Sequence, residues 1–174
     1  MKENREAILE KWFERIIESY PDVTSRFLAK QKDRFRNPVG YAITQSIGPI
    51  YDQVASAMDT DQLLGALDEI VRIRSVQDFT PTEAIGFVFQ LKAVIRAEIG
   101  DRLRDLEKWS ELAELESRID RVALLAFEKY TECRENLHQV RNREVESRAA
   151  RLLGRVKTRS AVSQHEEEPI DDEV

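Results

Sequence analysis

The chain has 174 residues, a formal net charge of -6, 41% hydrophobic and 34% charged residues, and one cysteine. That length suits one compact domain plus an appendage, and the mix fits a soluble helical protein with an ion-paired surface. The acidic balance argues against general nucleic-acid binding, and a lone Cys133 excludes an internal disulfide and fits a reducing compartment.

The N-terminal MKENREAILEKWFERI lacks an apolar signal-peptide core, and no apolar run approaches the roughly 20 residues of a membrane span, so a bacterial-style cytoplasmic protein is expected. A first helix is predicted from about Glu3 to Ser19, with Ile8, Trp12, Phe13, Ile16 and Ile17 at spacings of three and four. Tyr20-Pro21-Asp22 ends it, because proline disfavours the helical region for the residue before it. A short second helix is expected after Thr24-Ser25, carrying Phe27 and Leu28 and ending near Phe35. Asn37-Pro38-Val39-Gly40 joins a good N-cap to a proline at the first helical position and starts a third helix. Its face holds Val39, Ile43, Ile47, Ile50, Tyr51 and Val54, and Gly48-Pro49 interrupts it with an expected kink.

Asp59-Thr60-Asp61 caps a fourth helix carrying Leu63, Leu64, Leu67, Ile70, Val71 and Val76. Thr80-Pro81-Thr82-Glu83 is a capping box that opens a fifth helix, with Ile85, Val88, Phe89, Leu91, Val94, Ile95 and Ile99, stopping near Gly100. Residues 101–110 form a charged connection or a short helix. From Glu111 one long helix follows, in which Leu112, Leu115, Ile119, Val122, Ala126, Lys129 and Cys133 recur in steps of three and four. That stripe is the pattern of a seam packed against another helix, and Leu112, Leu115, Ile119, Val122 and Ala126 are its expected dimer or partner residues. Residues 134–159 hold eight Lys or Arg against three Glu, while residues 160–174 hold six acids and no Lys or Arg. The expected organisation is a helical domain over 1–130, a basic helical extension over 131–159 and a disordered acidic tail over 160–174.

Catalytic constellations are scarce. One Cys and two His cannot make a Cys/His zinc cluster, and neither a phosphate-binding glycine loop nor a nucleophile elbow is present. Glu135-x-x-His138 has the spacing of di-iron carboxylate bundles but lacks a second Glu-x-x-His, so an incidental surface histidine is the plainer account. Cys133 continues the apolar seam and reads as a packed thiol. The basic stretch from Arg134 to Arg159 has no interleaved aromatic residue, which favours a solvated or protein-docking helix over a nucleic-acid contact. The polar cluster at the end of the fourth helix admits two accounts. Asp68, Glu69, Arg72, Arg74 and Asp78 make helix-surface ion pairs and caps, or Arg74, Gln77 and Asp78, wedged between Ile73, Val76 and Phe79, are partly desolvated and form a rigid or anion-binding corner.

Two strings, Asn37-Pro38-Val39-Gly40-Tyr41 and Ile70-Val71-Arg72-Ile73-Arg74-Ser75-Val76-Gln77-Asp78-Phe79-Thr80-Pro81 with Ala84 to Phe89 after it, resemble the RsbRD-type N-terminal domain of RsbT co-antagonist proteins over roughly residues 5 to 130. The resemblance implies an all-α, globin-like helical bundle that binds no haem, tends to dimerise and serves stress signalling, often ahead of a STAS output domain. After about Val156 the sequence has too few residues for a STAS domain. The helix over Ile85–Ile99 carries no histidine to act as a proximal haem ligand.

The expected protein is therefore a non-enzymatic sensory or protein-interaction module with a long C-terminal helix and no cofactor. Its partner is itself or another protein, not nucleic acid, and its functional corner comprises Asn37, Gly40, Arg72, Arg74, Gln77 and Asp78. The alternative is a metal- or ligand-binding accessory of a redox system using Glu135, His138 or Cys133.

Overall fold

Periodic apolar residues and strong caps produce helices throughout: α1 (Arg5–Glu18), α2 (Asp22–Lys30), α3 (Pro38–Ala55), α4 (Thr60–Val76), α5 (Pro81–Ile99) and α6 (Leu106–His165). The computed structural model describes residues 4–30, 33–56, 58–77, 79–99 and 106–165, and no strand occurs among them. The chain divides into two units, Met1–Arg134 and Glu135–Val174. In the first, α1 packs on α3 and α5, and α3 packs on α4. One apolar core runs through it, from Trp12 of α1 through Ile43, Leu67 and Leu91 to Ile119 of α6. Trp12 is pinned as well as packed, since its indole Nε1 donates to Phe87 O at 2.7 Å and its ring stacks on that of Phe87. In the second unit every described side chain except half-buried Leu137 is exposed.

The caps form as their residue types dictate. Asp59 accepts from the backbone N–H groups of Asp61 and Gln62. In the capping box Thr80 N donates to the Glu83 carboxylate at 2.8 Å, and Glu83 N donates to Thr80 Oγ1 at 3.3 Å. Asn37, 1% exposed, caps α3 by accepting from Gly40 N at 2.8 Å, while its Nδ2 donates to Leu28 O at 3.0 Å. One side chain thus ties the end of α2 to the start of α3.

Several expectations are corrected. Helix α2 begins at Asp22 and ends at Lys30, so Phe35 lies outside it in a turn and is 93% exposed. Asp22 in its first turn suits the positive end of the helix, and Ser25 N donates to Pro21 O one turn back. Helix α3 continues through Gly48-Pro49 without a break, because buried Ile43, Ile47, Ile50 and Val54 hold it on both sides of the proline. Val76 and Phe89 are exposed rather than core residues.

The largest correction concerns α6. Leu112, Leu115, Ile119, Val122 and Ala126 are all buried in the core of the first unit, so the heptad-like stripe packs against this chain's own helices. Helix α6 also extends to His165, past the expected boundary at Arg159. Residues 101–105 of the expected charged connection, residues 166–174 of the expected acidic tail, and Asp78 lie outside the described residues.

Two glycines test the packing in opposite directions. A Cβ on Gly40 would lie 2.2 Å from Asn37 Nδ2, whereas one on Gly65, inside α4, meets nothing within 4 Å. Gly40→Ala is expected to lose about 1–2 kcal/mol through the displaced cap, and Gly65→Ala to gain about 0.5–1 kcal/mol from helix propensity. Urea denaturation of both variants checks the pair.

Candidate functional site

Arg74 owes its position to helix periodicity. Leu63, Leu67 and Ile70 form the buried stripe of α4, and Arg74 is the next residue in that stripe, so its side chain enters the core with 0% exposure. Arg72 falls off the stripe; it is exposed and pairs with Asp68 at 3.2 Å. Of the two arginines in the sequence cluster, one is therefore a surface ion pair and the other a desolvated cation.

The guanidinium of Arg74 is walled by aromatic rings. Its Cζ lies 4.5 Å from the ring centroid of Phe79, 5.1 Å from that of Tyr20 and 5.7 Å from that of Phe87. Tyr20 and Phe79 meet edge to face at 5.1 Å. Nη2 donates to Ser19 Oγ at 2.7 Å and to Glu83 O at 3.3 Å. Ser19 Oγ in turn donates to Ile16 O at 2.6 Å, so the charge reaches the carbonyl end of α1, the negative pole of that helix.

Among the described residues no carboxylate forms an ion pair with Arg74, and no protein atom accepts from Nε or Nη1. The Tyr20 hydroxyl and Gln77 Oε1 are also buried without a hydrogen-bond partner. Burial pushes the Arg74 pKa down and the Tyr20 hydroxyl pKa up, with the nearby guanidinium opposing the second shift.

Around this centre the turn between α4 and α5 is fastened to α6. Tyr130 Oη donates to Phe79 O at 3.2 Å, and Arg134 Nη1 donates to Ser75 O at 3.1 Å. A cavity of about 580 Å³ lies against the corner, lined by Ser19, Tyr20, Pro21, Thr24, Gln77, Phe79 and Glu83. The structure thus gathers Arg74 and Gln77 at one corner, leaves Arg72 on the surface and uses Asn37 and Gly40 elsewhere, in the tie between α2 and α3. Sequence reasoning set Phe79 beside Arg74, as the structure does, but passed over Tyr20 and Ser19 as its partners. The continuation of the 63–67–70 stripe to position 74 was the signal that Arg74 itself is buried.

Among the described residues no group of three or more His, Cys, Asp or Glu is placed to hold a metal ion, and no helix is long and apolar enough to cross a membrane. Glu135 and His138 are exposed, and Cys133 is half-buried. An all-helical bundle closed by a long helix, with a buried arginine as its polar centre, defines an α-helical module. The chain belongs to the RsbT co-antagonist protein rsbRD N-terminal domain family, whose model matches residues 6–145. That family comprises stress-signalling sensor modules of a partner-switching pathway and is not an enzyme family. No curated protein and no solved structure matches the chain.

Arg74 separates the effects of volume and charge. Arg74→Ala is expected to lose about 3–5 kcal/mol by opening the aromatic cage. Arg74→Met, which fills the volume without a charge to desolvate, is expected to restore most of that loss in urea denaturation.

A pH dependence follows from the carboxylates. The backbone N–H and hydroxyl of Thr80 hold the Glu83 carboxyl below its ordinary value of 4.5; Arg5 does the same for Asp52, and Arg96 for Glu116. Each folded pKa is depressed, so the stabilisation is present above the unfolded pKa and lost as pH falls through the folded one. Thermal melting should be flat just above the ordinary carboxylate range and fall below it, with a shallower fall in Glu83→Gln.

Proposed function

We propose that the chain is a non-enzymatic sensory and protein-interaction module of bacterial stress signalling, working in the cytoplasm, in which the first unit receives a signal and α6 delivers it by pairing with a second copy. The family assignment supports the signalling role. The observation that carries the pairing is the exposure of apolar residues along α6 in the second unit: Val140, Val145, Leu152 and Leu153 are all more than 60% exposed. His138, Asn142, Val145, Ala149 and Leu152 follow one another at spacings of four and three, the repeat of a coiled-coil seam. An exposed helix of this length gains little from propensity alone and is stabilised chiefly by burying such a stripe.

The dimer seam therefore shifts from the residues expected at 112–126, which serve the core, to the stripe at 138–152. Asn142 at a seam position favours one register, at a cost in affinity. Flanking charges suit a protein partner, since Glu144 already pairs with Arg148 at 2.6 Å and acids interrupt the basic surface. Tyr130 and Arg134 give α6, within the first unit, its hold on the end of α4 and the α4–α5 turn.

Sedimentation analysis of the full chain tests the pairing. A concentration-dependent dimer is expected, and Val145→Asp with Leu152→Asp should give a monomer whose first unit keeps its melting temperature. A wild-type chain that stays monomeric at every concentration rejects the pairing.

A further inference from the structure

We propose that the corner where the end of α1, the α4–α5 turn and the first turn of α5 meet is a binding site for a small carboxylate, whose oxygens take the free N–H groups of Arg74. The inference goes beyond the signalling role and does not depend on the pairing of α6.

The argument begins with donors that have no acceptor. Arg74 is 0% exposed, it remains charged, and two of its three nitrogens meet no acceptor among the described residues. Aromatic rings and one relayed hydroxyl offset part of the desolvation cost, but neither supplies the counter-charge that buried cations ordinarily have. The other unpartnered buried groups at the corner suit the same ligand. The Tyr20 hydroxyl is a donor, and a half-turn of the Gln77 amide exchanges its orphaned Oε1 for two more. Tyr20 and Gln77 both line the cavity at the corner, whose remaining walls include Ser19 and Phe79, the residues that also touch Arg74. The cavity therefore reaches the shell around the guanidinium without being lined by Arg74 itself, so binding requires a lining side chain to move before an oxygen meets Nε or Nη1.

Charge selects the ligand class. A carboxylate balances the single guanidinium charge. A dianion would leave excess negative charge near Glu83, whose own carboxylate is occupied by Thr80 N at 2.8 Å and Thr80 Oγ1 at 2.7 Å. Charge-assisted bonds from arginine to carboxylate are among the stronger polar contacts proteins make. A ligand held there would also tighten the turn whose Ser75 and Phe79 carbonyls hold Arg134 and Tyr130 of α6.

The test uses the full chain labelled with nitrogen-15, titrated with sodium acetate in place of sodium chloride at constant ionic strength. The Arg74 Nε–H resonance, identified by its absence in Arg74→Lys, should shift and saturate at millimolar acetate, while that of exposed Arg72 stays still. The melting temperature should rise in parallel, and Gln77→Leu should weaken binding about tenfold without unfolding the chain. Val145→Asp should bind acetate as the wild type does, which separates this site from the pairing. The proposal is overturned if Arg74 shows no saturable shift, if Arg72 and Arg74 respond alike, or if nitrate or inorganic phosphate saturates the site where acetate does not.

Discussion

The first unit is organised around one buried positive charge. Arg74 sits at a position that helix α4 presents to the core, yet it carries a guanidinium that must be desolvated to fit there. Five neighbours accommodate it by three physical means: the rings of Tyr20, Phe79 and Phe87 offer electron-rich faces, Ser19 passes the charge to a carbonyl at the end of α1, and the Glu83 carbonyl adds a second acceptor. These neighbours come from α1, the α4–α5 turn and α5. A single side chain therefore dictates how three segments meet. An apolar residue of the same size would fill the space without specifying where Ser19 and the α4–α5 turn must stand.

That dependence explains why the turn at Gln77–Thr80 is built with so many directional contacts. The capping box fixes the first turn of α5, which in turn places the Glu83 carbonyl against Arg74. On the other side, Tyr130 and Arg134 of α6 bond to the Phe79 and Ser75 carbonyls. Phe79 takes part in both sets, packing its ring on Arg74 and offering its carbonyl to Tyr130. The corner and α6 are coupled through backbone atoms of one short turn. A shift of that turn would change both sets of contacts together.

The caps at Asn37, Asp59 and Thr80–Glu83 were legible in the sequence because each depends on local chemistry over three or four residues. The helices and most of their buried faces were legible from spacing for the same reason. What spacing cannot supply is the identity of the surface a stripe packs against. The stripe from Leu112 to Ala126 announces a helix–helix seam, but a seam within the chain and a seam between two chains have the same periodicity. Arg74 was half legible: its register with Leu63, Leu67 and Ile70 places it inside, while its residue type suggests the surface. Register won because the rings that accept the charge come from distant positions, Tyr20 and Phe87 among them, and no local pattern encodes that meeting. Phe89 failed in the opposite sense, being apolar by type but turned to solvent by its place on α5.

The same helix, α6, poses the problem of burial twice and solves it differently. Within the first unit its Leu112, Leu115, Ile119, Val122, Ala126 and Tyr130 are buried in the core, while Trp109, Leu124 and Phe127 are exposed. From Glu135 onward the helix has no such cover among the described side chains, and Val145 and Leu152 stand in water. A helix with exposed leucine and valine at seam spacing draws its stability from whatever covers that stripe. A partner bound to that stripe would stabilise the extension by mass action, while the first unit keeps its own core. Within the first unit the last bonds of α6 are those of Tyr130 to the Phe79 carbonyl and Arg134 to the Ser75 carbonyl.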